Sequence, residues 1–71
     1  MEAQKASRKV ESLKTTLLGN VYVSENSPVP FEVIRIEEAH DGTVWVDTEA
    51  NNYEVPDWWD KRQSGVITRA A

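Results

Sequence analysis

Apolar residues change their spacing along this chain, from helical before Gly19 to alternating after it. Ala3, Ala6, Val10, Leu13 and Leu17 recur at steps of three and four, which places them on one helix face. Lys5, Arg8, Lys9, Glu11, Ser12 and Lys14 fall mostly elsewhere. Gly19 stands where a left-handed C-terminal cap is expected, and Lys14 suits the negative helix end. The spacing predicts an amphipathic helix over residues 1–19 whose first, alanine-lined turns fray. Its Val10, Leu13, Leu17 and Leu18 have one bland use, docking on a sheet. The sharper use makes Val10, Leu13 and Leu17 an interface to a partner or a second copy. A disordered basic arm is the third reading.

Residues 20–24 alternate, with Val21 and Val23 opposite Tyr22, and predict a strand. Glu25 to Pro30 reads as a loop, because Pro28 and Pro30 forbid helix and remove backbone donors. Phe31–Glu38 and Thr43–Thr48 form a hairpin around Asp41-Gly42, where glycine supplies a positive φ cheaply. The first arm mixes parity, with Phe31 and Val33 opposed to Ile34 and Ile36. Such a strand is covered on both faces or bulges partway. The N-terminal helix is the nearest cover and would make a bulge unnecessary. In the second arm Val44 and Val46 oppose Trp45. Glu49 to Asn52 predicts a turn, Tyr53 to Val55 a short strand, and residues 56–65 a helical turn capped by Asp57 and stopped by Gly65. Val66 to Arg69 closes the sheet.

These elements predict an α+β fold, mainly β. An N-terminal helix (1–19) precedes a small β domain (20–71), a strongly bent antiparallel sheet or partly open barrel of about five strands with one short helical turn. Trp58-Trp59 followed by Gly65-Val66-Ile67 resembles the SH3 domain, where a tryptophan pair precedes a glycine and a closing strand. The resemblance spans residues 58–67 only. It lacks the aromatic-rich opening strand and terminal Pro-x-x-Tyr of signalling SH3 domains, so it implies an SH3-like shape and no proline-rich ligand.

Composition narrows the function classes. A chain of 71 residues is one small domain, which buries only about 60% of its unfolded surface, so oligomerisation is a live route to stability. It has no cysteine, hence no disulfide and no thiolate metal site. No apolar run is long enough to span a bilayer and no signal-peptide core is evident, so a cytoplasmic, soluble protein with no membrane association is expected. The net charge of −4 divides into +2 over residues 1–19 and −6 over residues 20–71. An acidic body repels phosphate backbones.

No catalytic or metal motif stands out. His40, the one histidine, sits among Glu37, Glu38 and Asp41 in a turn, where solvation explains it as well as chemistry does. No serine has a partnered histidine at convincing spacing, and the strand carboxylates Glu32 and Glu54 read as solubilising charge. The aromatics say more. Tyr22 and Trp45 oppose their apolar neighbours, and Tyr53 and Trp58 follow, so Tyr22, Trp45, Tyr53 and Trp58 are the candidate protein-binding residues. Trp59 is assigned to the core and Trp58 to partial exposure.

The reading is a non-enzymatic interaction module with no cofactor and no metal. It binds a protein partner, or itself, through an aromatic face and the helix. The alternative is a small nucleic-acid accessory protein using Lys5, Arg8, Lys9, Arg35, Lys61 and Arg62 beside stacking aromatics. A lesser alternative is an acidic mimic of nucleic acid, through carboxylates such as Glu37, Glu38, Asp41 and Asp47.

Overall fold

A computed structural model describes the backbone of residues 2–70 and the side chains of residues 9–70. The chain runs α1 (Glu2–Leu17), β1 (Val21–Ser24), β2 (Ser27–Glu38), β3 (Val44–Thr48), β4 (Asn52–Glu54), α2 (Val55–Ser64) and β5 (Ile67–Arg69). The five strands form one antiparallel sheet in the order β4-β3-β2-β1-β5, not closed into a barrel. Helix α2 carries the chain from one edge strand to the other.

Helix α1 stops at Gly19, whose φ of 84° only glycine adopts cheaply. The stop is tied directly to the sheet: Gly19 N donates to Val33 O at 2.9 Å and Val33 N donates to Asn20 O at 3.0 Å. Anchored this way, α1 lays Val10, Leu13 and Leu17 into the core, at 9%, 8% and 2% exposure. These three residues are therefore no partner interface. A sheet this small leaves apolar surface that its own helix must cover, and of the large apolar side chains described at the helical end Leu18 stays exposed.

Strand β2 departs from the sequence reading twice. It begins at Ser27, not Phe31, because only Glu25 and Asn26 separate β1 from β2. The prolines sit where the pairing with β1 is irregular, between Ser24↔Ser27 and Tyr22↔Phe31. A ladder broken there tolerates residues without N–H donors. Further on, Val33 pairs with Thr48 and Arg35 with Asp47, so β2 holds one extra residue, Ile34. That bulge, not cover by α1, resolves the mixed parity. Phe31, Val33 and Ile36 all point inward, while Ile34 and Arg35 stay exposed.

Helix α2 starts at Val55, with Glu54 as its extended N-cap residue and Pro56 in the first turn. Asp57 is therefore inside the first turn rather than capping it, and no side chain caps the helix. The Pro56 ring suits a position where a backbone N–H has no helical acceptor. The helix ends at Gly65 in the left-handed conformation, φ 82°. The observed cap, Glu54, lies three residues before the expected Asp57, and the helix packs with Val55 and Trp58 on its buried face while Trp59 stays 38% exposed. The expected burial of Trp59 and exposure of Trp58 are thus exchanged.

Candidate interaction surface

Three of the four candidate aromatics meet inside the molecule. Tyr22, inward from β1, packs edge-on against Trp58 with centroids 4.9 Å apart at 88°. Tyr53, opposite inward-facing Val46, comes within 5.6 Å of the same indole. Tyr22 and Trp58, at 2% and 0% exposure, offer nothing to a partner, and half-buried Tyr53 turns inward with them. Strand β1 takes the phase opposite to the one its valines suggest, for a physical reason. Tyr22 gains an aromatic edge contact, and its hydroxyl accepts a hydrogen bond from Asn20 Nδ2 at 3.2 Å. The indole nitrogen of Trp58 has no hydrogen-bond partner.

Trp45 stands apart. Its neighbours Val44 and Val46 are buried, and Trp45 itself is half-buried on the other sheet face. In register it lies directly between Glu37 of β2 and Glu54 of β4. One step along β3 on the same face, Asp47 is 5% exposed. It accepts a 2.9 Å bond from Arg35 Nε, while Arg35 Nη2 lies 3.2 Å from Glu37 Oε2. The Asp47 hydrogen bond first, and then the charge of Glu37, hold the Arg35 guanidinium above its usual pKa. Sequence reasoning missed this pair, although Arg35 and Asp47 flank the Asp41-Gly42 turn on opposite arms of the hairpin. It also missed Ile34, which the bulge leaves 55% exposed on the outside.

The basic residues are mostly engaged within the fold. Arg62 Nη1 donates to Ile67 O at 3.0 Å, and its guanidinium carbon lies 5.0 Å from the Tyr22 ring centroid. Arg69 Nη2 donates to Asn20 Oδ1 at 3.2 Å, and Lys61 pairs with Asp57 at 3.5 Å. Arg35 is held by two carboxylates, as above. Lys9 is exposed, and the side chains of Lys5 and Arg8 lie outside the described residues. The structure therefore does not gather Arg35, Lys61 and Arg62 into one cationic strip.

The hairpin turn holds His40 and Asp41, both exposed. Asp41 Oδ1 accepts a 2.9 Å bond from Thr43 N, and that bond holds the Asp41 carboxyl below the usual aspartate pKa. The described residues contain no group of three or more histidine or carboxylate side chains able to hold a metal ion.

A cleft of about 470 Å³ opens between the β1–β2 turn and the β3–β4 turn. Val29, Pro30 and Phe31 form one wall, Glu49 to Asn51 another, and Tyr53, Lys61 and Val66 close it. Thr48 orders the second wall: its hydroxyl donates to Asn51 O at 2.6 Å and accepts from Ala50 N and Asn51 N at 3.1 and 2.9 Å.

No protein-family model, curated protein or solved structure matches this chain. Among the described residues no helix is long and apolar enough to cross a membrane.

Proposed function

We propose that the protein is a non-enzymatic interaction module whose contact surface is the outer face of the sheet around Trp45. The observation that carries this reading is the position of Trp45. A large aromatic sits half-buried on the face opposite the core, with exposed Ile34 on the same side. Tryptophan is enriched among residues that dominate binding energy, because it buries a large area with few rotatable bonds. The order of strands, a four-strand meander followed by a helix that returns the chain to β1, supports an SH3-like reading of the shape. A protein partner is the occupant favoured here, and a second copy of the chain is the other.

The test compares the unmodified protein with W45A and with W59A, which removes an exposed tryptophan from a different surface. Partner retention in co-purification from the native cell is expected to fall with W45A and to persist with W59A. Light scattering over a range of concentrations separates the two occupants, since only self-association makes the mass rise with concentration. Equal retention by W45A and the unmodified protein would overturn the reading.

The nucleic-acid reading draws less support, because Arg35, Lys61 and Arg62 are paired internally within an acidic body. A salt-dependent electrophoretic shift with DNA or RNA would restore it.

A further inference from the structure

We propose that the partner of the Trp45 face is a basic polypeptide segment, with a lysine or arginine side chain seated against Trp45 between Glu37 and Glu54. This rests on the reading of the outer face as an interface and adds the chemistry of what covers it.

The register carries the argument. Trp45 is the direct cross-strand partner of both Glu37 and Glu54. With strands about 4.8 Å apart, the two carboxylates bracket the indole at a separation of roughly 10 Å between backbones. A cation seated over an indole within about 6 Å of the ring centroid is attracted by the π-face. A lysine or arginine placed there meets carboxylates on both sides. Arg35 occupies only part of this acidity: it bonds Asp47 at 2.9 Å and lies 3.2 Å from Glu37. Glu54 takes part in no ion pair among the described residues. Lys9 of α1 borders the same shallow pocket as Glu54 without pairing with it, so among the described residues Arg35 is the one cation ion-paired on this face, which carries Glu37, Asp47 and Glu54.

The wider field acts in the same sense. Residues 20–71 carry −6, which steers cationic partners towards the sheet and repels phosphate backbones. A neutral apolar partner would gain nothing from charges flanking the aromatic. A second copy of the chain would set this acidic face against acidic surface, unless it presented its positively charged residues 1–19.

The experiment titrates the 15N-labelled full-length protein with hexalysine and hexaarginine, using hexaglutamate as the control. Saturable shifts are expected at the Trp45 indole N–H and at the Glu37 and Glu54 amides, fading as salt is raised, while the Trp58 indole N–H stays in place. The double variant E37Q/E54Q is expected to weaken the interaction roughly fivefold or more. W45A should weaken it as well, and thermal unfolding of each variant verifies that the fold is kept. No shift at Trp45 at low salt, or shifts unchanged in E37Q/E54Q, would overturn the proposal. Concentration-dependent shifts at Trp45 without peptide would identify a second copy as the occupant and also overturn it. The two readings fail separately. A native partner lost with W45A but held by E37Q/E54Q removes the basic partner and keeps the interface, whereas a partner held by W45A removes both.

Discussion

Trp58 is sealed between Tyr22 and Tyr53 with none of its surface exposed, while Trp45, set between two buried valines, lies half-buried on the opposite side of the same sheet. The contrast follows from how many elements are available to cover each face. The inner face is closed by α1, through Val10, Leu13 and Leu17, and by α2, through Val55 and Trp58. No third helix follows among the described residues, so the outer face relies on its own side chains. Arg35 lies across Asp47 there, and Trp45 sits between two glutamates. One tryptophan is a structural wedge, and the other is left half-buried as the proposed contact surface.

The largest expected effect tests the wedge. W58A should cost about 3–5 kcal/mol in urea unfolding, the range for deleting a large aromatic from a core. A chain of 71 residues has a total stability on the order of 4–10 kcal/mol, so this variant loses roughly a third of it or more. W58F sharpens the point. It keeps a ring against Tyr22 and Tyr53 and removes an indole N–H that has no acceptor. Relief of that buried donor, about 1–3 kcal/mol, offsets part of the lost volume. W58F is therefore expected to cost less than half of what W58A costs. Equal losses would mean that the indole nitrogen does find a partner in solution.

Next in size is the turn beside the cleft. T48V keeps the shape but leaves Ala50 N and Asn51 N without their acceptor, at a cost of about 1–3 kcal/mol by the same measurement. On the outer face, R35Q removes the guanidinium from Asp47, a carboxylate with only 8% of its side chain exposed. Arg35 is itself 66% exposed, so solvent screens the pair and the cost is expected at about 1 kcal/mol. A loss as large as that of W58A would show that the outer face is as structural as the inner one.

The element types were legible in the sequence because period and punctuation agreed. The three- and four-residue steps from Ala3 to Leu17 end at Gly19, and Asp41-Gly42 marks the hairpin. Phase was harder to read. Whether Tyr22 or its valine neighbours face inward depends on Trp58, which lies far along the chain and packs against that ring. Trp58 and Trp59 lie about 100° apart on α2, so only one of the two can face the core, and the rings of Tyr22 and Tyr53, distant in the chain, select Trp58. The bulge at Ile34 was one of two solutions that the mixed parity allowed, and backbone registry with β3 decides between them. The candidate site was legible only as a set of aromatics. Which of them stays outside is a property of the packed sheet.

The smallest expected effect on stability falls on Trp45, the centre of the proposed contact surface. W45A removes a half-buried side chain and leaves no enclosed cavity, so about 1 kcal/mol or less is expected in urea unfolding. W59A, at a site 38% exposed, should behave alike. Fluorescence quenching by acrylamide distinguishes the three indoles without relying on stability. Emission from Trp58 should resist the quencher because the ring is fully enclosed. In W45A the quenchable fraction should fall to what Trp59 alone supplies. In W59A the remaining quenchable indole is Trp45, and hexalysine should protect it if a cation seats between Glu37 and Glu54. Quenching of Trp45 that is complete and indifferent to hexalysine would leave the outer face open to a partner but not to a basic one. Resistance of Trp45 equal to that of Trp58 would end the contrast between the two faces.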